Sequence, residues 1–305
     1  MNELSVRLIP LLVLVVLGWI TGKYLRLTRD AIAPTLIYLL APLTIFKGVL
    51  DANLNAELLM MPFLYFGICS LMCAVAWSVG KHFFKSPSRN ILAYGAGSAN
   101  SGYFGLPAAV ALLGIDSFPR AVMISFGFTL FEATIGFYIT ARGHHTIREA
   151  FNKLLRLPTI YVVLAGVVLN FCRFRAEGPA FEFFGWIKGA YSSFGMMLIG
   201  IALAQVKDFR LDWSFTGFAF VIKFVAWPAV TALIFFFDAA SGLNFLSPAT
   251  KQSMWLVSFL PLAANTVAFA SLLRAEPEKC AVAVILSTLL SIVLLPFVLQ
   301  FSAIF

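Results

Sequence analysis

The chain has 305 residues, of which 61% are hydrophobic and only 12% are charged, and its mean hydropathy is +0.92. Soluble domains are about 45–50% apolar and about 25% charged, so this composition excludes a water-soluble globule. The formal net charge of +8 must then lie mainly in short links between apolar segments, where it indicates membrane topology rather than nucleic-acid binding.

Ten apolar segments approach the roughly 20 residues that a helix needs to cross a bilayer core. In chain order they are Leu4–Gly22, Ala31–Leu50, Leu58–Gly80, Ile91–Gly114, Phe118–Thr140, Thr159–Phe174, Ile187–Gln205, Ser214–Phe237, Met254–Arg274 and Cys280–Phe301. The first could be read as a signal peptide. It lacks a cleavage site of the Ala-x-Ala kind and further spans follow it, so we expect a retained helix.

The lysines and arginines of the links predict the orientation of the chain. Links after odd-numbered segments carry Lys23, Arg26, Arg29, Lys81, Lys85, Arg89, Arg142, Arg148, Lys153, Arg156, Lys207, Arg210, Arg274 and Lys279, whereas the opposite links carry Arg120, Arg173, Arg175 and Lys251. Cytoplasmic loops are the ones enriched in these residues, so we expect both termini on the outer face. Lys47 and Lys188 are expected to extend to the outer interface.

Ten segments divide into two sets of five, residues 1–155 and 156–305, and an odd number in each set inverts one set relative to the other. Short matches recur roughly 160 residues later, Ala111–Leu113 against Ser271–Leu273 and Ala121–Val122 against Ala281–Val282. Inverted repeats of this kind are typical of secondary transporters.

The fourth and ninth segments contain residues that interrupt helices. The fourth reads Gly95-Ala-Gly97-Ser98-Ala99-Asn100-Ser101-Gly102-Tyr103-Phe104-Gly105-Leu106-Pro107, and the ninth has a sparser counterpart, Phe259-Leu260-Pro261-Leu262-Ala263-Ala264-Asn265-Thr266. Proline removes a backbone donor and glycine frees the backbone to leave the helix. Because paired interruptions in two inverted halves mark transport sites, we expect the substrate there.

The chemistry of two interrupted helices suits ions. Half-helix N-termini offer N–H groups to an anion, and C-termini offer carbonyls to a cation. Asn100 and Asn265 can both donate and accept, so each could hold a carboxylate or a hydrated ion. The alternative is that Gly and Pro are simply commoner in membrane helices and that each Asn bonds a neighbouring helix.

Glu132 and Lys223 are ionisable residues at similar depth, about 13 Å from the inner face at 1.5 Å per residue. Such residues are costly unless paired or hydrated, so both are functional candidates. We expect an ion pair; alternatives are a Glu132 proton carrier, a Lys223 counter-charge for a bound anion, or a pair that only fixes packing. Ser125 and Thr129 could join Asn100 around a sodium ion, or could bond the carbonyls four residues earlier.

The stretch Asn100-Ser-Gly102-Tyr103-Phe104-Gly105-Leu106-Pro107 resembles the Asn-x-Gly-aromatic-x-Gly-Leu-Pro signature of the auxin efflux carrier family. Similar weaker patterns lie at Leu39-Leu40-Ala41-Pro42, at Leu157-Pro158-Thr159-Ile160-Tyr161, and from Leu260-Pro261 through Ser287-Thr288-Leu289-Leu290-Ser291 to Leu295-Pro296. The short link after the fifth segment is similar to bacterial malate- or malonate-permease-like members. The chain departs from the family pattern at Leu260 and Leu273.

The resemblance implies an all-α membrane protein with ten transmembrane helices as two inverted five-helix repeats, in which broken helices 4 and 9 cross. This fold class is similar to that of sodium/proton antiporters and bile-acid symporters. It also implies a scaffold of helices 1, 2, 6 and 7, a transport bundle of helices 3–5 and 8–10, elevator-like transport and a bacterial inner membrane. The expected substrate-binding residues are Asn100, Ser101, Gly102, Pro107, Pro261, Asn265 and Thr266.

These observations together predict a secondary transporter of small organic anions such as mono- or dicarboxylates, and not an enzyme. The expected partners are that anion and the lipid bilayer, with no nucleic acid, and a homodimer is left open. No cofactor or metal is expected. Coupling to H⁺ through Glu132, to Na⁺ near Asn100, or to the anion gradient and membrane potential alone stays open. The alternatives are a cation/proton antiporter, a sodium-coupled bile-acid-type symporter and a channel.

Overall fold

The computed structural model describes residues 6–85, 88–140, 148, 152, 155–205, 211–272 and 277–300, and within these ranges every regular element is a helix. In chain order the helices are α1 (Ile9–Tyr24), α2 (Asp30–Leu50), α3 (Ala56–Gly80), α4 (Ser88–Gly97), α5 (Leu106–Leu113), α6 (Ile115–Thr140), α7 (Pro158–Phe171), α8 (Pro179–Ala204), α9 (Trp213–Ala240), α10 (Pro248–Ser258), α11 (Asn265–Leu272) and α12 (Pro277–Val298). Helices α2, α3, α6, α8, α9 and α12 are long and apolar enough to cross a bilayer. The chain is therefore an all-helical, multi-pass membrane protein.

The ninth predicted segment begins earlier than its hydropathy indicates. It was expected from Met254, but α10 begins at Pro248. The Ser247 hydroxyl accepts a hydrogen bond from the Thr250 N–H, and Pro248 suits the first helical turn because that position needs no N–H donor. Because this first turn contains polar residues such as Lys251, a search for apolar segments does not include it.

The predicted orientation depends partly on residues that lie outside the described ones, namely Arg142, Lys153, Lys207, Arg210 and Arg274.

The helices pack in two sets of contacts. Helix α1 packs along α8, and α2 packs against α7 and α8. Elsewhere α3 packs against α4 and α6, while α12 packs against α9 and α11, and α10 contacts α5 and α6. The two sets meet where α2 contacts α6 and where residues 101–105 contact α8.

Glycines allow the close approach of α1 and α8. A Cβ added at Gly200 would collide with the backbone of Val15 and Trp19, and one added at Gly18 would collide with the backbone of Met197. Backbone atoms cannot rotate out of the way as a flexible side chain can. Only glycine at these two positions therefore permits this spacing.

We expect Gly200→Ala to separate α1 from α8 and to lower the thermal unfolding midpoint of the purified protein, because overpacking costs about 1–3 kcal/mol. Gly217→Ala on α9 is the matched control, since its added methyl group meets nothing within 4 Å. Melting curves in detergent test this packing. Equal midpoints for the two variants would show that the backbones of α1 and α8 are far enough apart at Gly200 to accept a methyl group.

Asp212 links the start of α9 to the start of α12. Its carboxylate accepts a hydrogen bond from the Phe215 N–H at 3.0 Å and lies 3.0 Å from Lys279 Nζ. These two contacts, the first being the larger, hold the pKa of Asp212 below its ordinary value. The stabilisation is present above the unfolded-state pKa of about 3.9 and is lost as the pH falls through the folded-state value. This link therefore adds no pH dependence near neutrality.

Candidate functional site

The fourth predicted segment is interrupted in its middle. Helix α4 ends at Gly97, residues 98–100 are not helical, and one π-helical turn (Ser101–Gly105) leads into α5. The turn is closed by the Gly105 N–H, which donates to the Asn100 carbonyl at 2.9 Å. We name residues 98–100 the first break.

The ninth predicted segment is interrupted as well. Helix α10 ends at Ser258, residues 259–264 are not helical, and α11 begins at Asn265. We name residues 259–264 the second break. Each break leaves carbonyl groups at the end of one helix and N–H groups at the start of the next, which need partners other than the helix itself.

The two breaks contact each other directly. The Asn100 N–H donates to the Pro261 carbonyl at 3.0 Å. A Cβ added at Gly105 would lie 2.8 Å from the Leu260 side chain, so the chain segments are also close on that side. Residues about 160 positions apart in sequence thus form one compact polar region.

Helix α9 supplies the partners of the first break. Lys223 Nζ donates to the Ser98 carbonyl at 2.8 Å, and Trp227 Nε1 donates to the Ala96 carbonyl at 2.7 Å. The Lys223 side chain is 0% exposed, and its ammonium group lies 4.7 Å from the centre of the Trp227 ring. The carbonyl end of α4 therefore meets a buried cation, which the helix dipole favours.

Helix α12 supplies the partners of the second break. The Ser291 hydroxyl donates to the Phe259 carbonyl at 2.8 Å, and the Leu262 N–H donates to the Ser287 hydroxyl at 3.1 Å. The same Ser287 hydroxyl lies 2.8 Å from the carbonyl of Val284 one turn earlier. Each break is thus held by polar side chains from a helix of the second half of the chain.

Helix α6 reaches the residue that directly follows each break. The Ser125 hydroxyl donates to the Ser101 carbonyl at 3.3 Å, and Asn265 Nδ2 donates to Glu132 Oε2 at 3.0 Å. The Thr129 hydroxyl donates to the Ser125 carbonyl four residues earlier, at 3.1 Å. Thr129 therefore makes the local hydrogen bond that was the alternative to sodium binding. Ser125 instead bonds the π-helical turn that follows the first break.

A cavity of about 480 Å³, here called the break cavity, lies beside the two breaks. Its wall includes both breaks, α6, and parts of α2, α7 and α8. The predicted site residues that line it are Asn100, Ser101, Gly102, Ser125, Thr129, Glu132 and Asn265. Pro107, Pro261, Thr266 and Lys223, by contrast, do not line it.

Asn100 lines this cavity and carries a buried, unsatisfied donor. The residue is 4% exposed, and its Nδ2 has no hydrogen-bond partner among the described residues. Buried amide groups in proteins are nearly always hydrogen-bonded, so an orphaned donor in a cavity wall indicates a place for a ligand acceptor.

The ion pair predicted between Glu132 and Lys223 stays a prediction. The hydrogen bond of the Lys223 ammonium goes to the first break, and the Glu132 carboxylate accepts from Asn265 in α11. Each of the two side chains therefore bonds beside a different break.

Sequence reasoning missed the tyrosines of the cavity wall. The rings of Tyr103 and Tyr191 lie 6.0 Å apart, and a Cβ added at Gly102 would lie 2.7 Å from the Tyr191 hydroxyl. Tyr103 follows Gly102 within the motif, so its position could have been inferred. Tyr191 and Tyr38 lie in apolar segments that contain no motif, so the sequence does not distinguish them from tyrosines that face lipid or the core.

Two curated proteins are similar to the chain along nearly its whole length, whereas no family model matches it. A protein of Methanocaldococcus jannaschii named as an uncharacterized transporter is 23% identical over 298 residues, which cover 93% of this chain and 94% of that protein. A protein of Methanothermobacter thermautotrophicus, also named as an uncharacterized transporter, is 26% identical over 299 residues, which cover 94% of this chain and 95% of that protein. Proteins named as transporters are generally not enzymes, and the similarity supports a transporter role.

Proposed function

We propose that the chain is a secondary transporter of small organic anions and that the substrate binds in the break cavity. The observation that carries this proposal is the direct contact of the two breaks, Asn100 N–H to Pro261 carbonyl, beside a cavity whose wall holds an unsatisfied amide donor. Paired helix interruptions are where many secondary transporters bind their substrates.

The chemistry of the cavity favours an anion. The Asn100 amide can donate to a carboxylate, and the helices that begin after each break direct the positive ends of their dipoles at this region. The buried Lys223 ammonium adds positive charge behind the first break. A volume of about 480 Å³ accommodates a mono- or dicarboxylate, and Tyr103 and Phe128 offer apolar surface to its carbon atoms.

The proposal includes the finer architecture. Helices α1 and α7, together with the interrupted pairs α4–α5 and α10–α11, would complete ten spans in two inverted repeats, 1–155 and 156–305. The contacts of α1, α2, α7 and α8 with one another support a separate scaffold, against which the remaining helices move as an elevator. The resemblance to the auxin efflux carrier family supports the same arrangement.

The cavity reaches the start of α7, where Leu157 and Thr159 line it, whereas on α2 its lining runs through the middle of the helix from Ile37 to Ile45. With both termini on the outer face of a bacterial inner membrane, the start of α7 faces the cytoplasm. The structure then corresponds to an inward-facing state.

Solute counterflow in proteoliposomes tests the proposed function. Vesicles loaded with unlabelled malonate, succinate or malate are diluted into the labelled acid, and the transient accumulation of label is followed. We expect saturable counterflow for at least one of these acids. A linear, unsaturable flux would instead indicate a channel, and no flux of any carboxylate would remove the organic-anion proposal.

We expect Glu132→Gln to remove the dependence of uptake on an imposed pH gradient if Glu132 carries the coupling proton. The carboxylate lines the cavity and is hydrogen-bonded to Asn265, so substrate occupancy can alter its protonation. Uptake is measured with imposed pH, sodium or voltage gradients in both proteins. Unchanged uptake and unchanged pH dependence in the variant would exclude the proton-carrier role and leave sodium or the membrane potential.

A cation/proton antiporter or a sodium-coupled bile-acid-type symporter is the second candidate. Glu132 lines the cavity as a carboxylate, and Ser101, Ser125 and Thr129 bring oxygen atoms near it. Proton release on addition of Na⁺ or K⁺ to acid-loaded vesicles, without any carboxylate, would favour the antiporter.

A further inference from the structure

A second cavity, here called the vestibule, lies at the ends of some of the same helices. It has a volume of about 610 Å³ and lies between the end of α2, the start of α6 and the start of α8. Its wall includes Thr44, Gly48, Phe118, Arg120 and Lys188. On α2 the break cavity is lined by residues from Ile37 to Ile45 and the vestibule by residues from Thr44 to Asp51, so the vestibule lies further towards the end of that helix.

Packed side chains close the floor of the vestibule. A Cβ added at Gly48 would lie 2.9 Å from the Phe118 ring and 3.0 Å from the Val122 side chain. Helices α2 and α6 are therefore in direct contact below the vestibule. It is a separate chamber in this conformation, not an extension of the break cavity.

The vestibule contains two cations that form no salt bridge with a described carboxylate, although Asp51 is near enough to act on Lys188. Arg120 and Lys188 have no carboxylate within salt-bridge range among the described residues, and Arg120 Nε is buried without a hydrogen-bond partner there. The Lys188 ammonium lies 5.1 Å from the centre of the Phe118 ring. The third cation, Lys47, forms an ion pair with Asp51.

The remaining polar groups of the vestibule agree with an anion site. The Thr44 side chain is 1% exposed, and its hydroxyl has no hydrogen-bond partner within the described part of the chain. The acidic residues Asp116 and Glu182 are exposed at the rim. Arg120 and Lys188 are therefore less exposed than these two acidic residues, and the buried Thr44 hydroxyl is an unused donor.

We infer that the vestibule is a second anion-binding site, in which Arg120 and Lys188 hold a carboxylate and Thr44 donates a hydrogen bond to it. Guanidinium groups bind carboxylates through paired N–H donors, and a half-buried site strengthens the attraction. Carboxylates arriving through the vestibule would bind here before the helices open the route to the break cavity. This loading role depends on the proposed transport function, whereas the binding itself does not.

Equilibrium binding of radiolabelled succinate to the full-length purified protein tests the inference. We expect two sites per chain. The double variant Arg120→Gln/Lys188→Gln should weaken one of them at least about tenfold, because both charge partners of the carboxylate are removed. Asn100→Ala should weaken the other. Arg120→Lys should weaken the vestibule site less than Arg120→Gln does, because it keeps the charge and loses only the paired N–H donors. Lys81→Gln, which removes an exposed cation elsewhere, should change neither site.

The outcomes separate the two proposals. A single succinate site that is lost in Asn100→Ala and unaffected by Arg120→Gln/Lys188→Gln would overturn the vestibule site and retain the break cavity. A single site lost only in the vestibule variants would retain the vestibule and overturn the proposed substrate site. If the double variant fails to fold, Thr44→Val provides the second test, since it keeps the shape of the side chain and removes only the donor. Unchanged succinate affinity in Thr44→Val and no succinate binding to the wild-type protein would each overturn the inference.

Discussion

Replacing Asn100 with alanine is expected to lower carboxylate counterflow by about tenfold to a hundredfold without lowering the unfolding temperature. A hydrogen bond from the amide to a charged carboxylate contributes about 1.5–3 kcal/mol, which corresponds to that range of affinity. The Asn100 Nδ2 has no partner among the described residues, so its removal breaks no side-chain bond of that donor. Removing an unsatisfied buried donor leaves stability unchanged or raises it.

Asn170→Ala is the matched control for this result. Asn170 Nδ2 donates to the carbonyls of Val49, Leu50 and Ala52 at 3.2, 2.8 and 2.7 Å, which joins α7 to the end of α2. We expect this variant to unfold at a lower temperature and to keep its substrate affinity. If Asn100→Ala instead behaves like Asn170→Ala, with lower stability and normal affinity, Asn100 is a packing residue and not a substrate ligand.

Replacing Lys223 with methionine is expected to reduce counterflow at least about tenfold and also to destabilise the fold. The buried ammonium group is the partner of the Ser98 carbonyl, and the carboxylate of Glu132 is the charge that it is predicted to balance. Removing one member of a buried charged set costs about 3–5 kcal/mol, because the remaining groups stay buried without compensation. Counterflow per folded molecule and the melting temperature are measured together.

Two further variants separate the role of Lys223 at the break from a general effect of losing a buried charge. Lys251→Met removes a largely buried ammonium group that pairs with Asp238 at 3.2 Å, away from the break cavity, so it should lower stability without lowering counterflow per folded molecule. If Lys223 and Glu132 are coupled, adding Glu132→Gln to Lys223→Met should restore part of the lost stability. Additive losses in the double variant would contradict the coupling.

The positions of the breaks could be predicted from sequence because their cause is local. Gly97, Gly102 and Pro107 lie close together in an otherwise apolar segment, and both glycine and proline weaken a helix whatever surrounds it. The start of α10 was placed too late for an equally local reason. Its first turn is polar, and its capping residue, Ser247, lies outside the apolar run.

The partners of the breaks could not be predicted, because they depend on how distant helices rotate and approach. The hydropathy pattern predicts how deep Lys223 lies in the membrane. It does not predict that the Ser98 carbonyl accepts its hydrogen bond, because that contact depends on how α9 packs against α4. Ser287 and Ser291 belonged only to a weak pattern of the family resemblance and had no predicted role, although they hold the second break. Arg120 was assigned only to a link, since its position in a cavity wall requires α2, α6 and α8 together.

The most direct test of the break cavity as the substrate site is protection of a thiol placed in its wall. Ala268 lines the cavity and is exposed, and Cys69, Cys73 and Cys280 are buried, so Ala268→Cys in a Cys172→Ser chain provides a reactive thiol in the cavity. The rate of alkylation is measured with and without the carboxylate identified by counterflow, and Ser241→Cys, exposed at the end of α9, is the control. We predict that saturating carboxylate slows alkylation at position 268 by about tenfold, the protection expected at 90% occupancy, and leaves position 241 unchanged. Equal alkylation of the Ala268→Cys variant with and without the carboxylate would contradict binding between the two breaks.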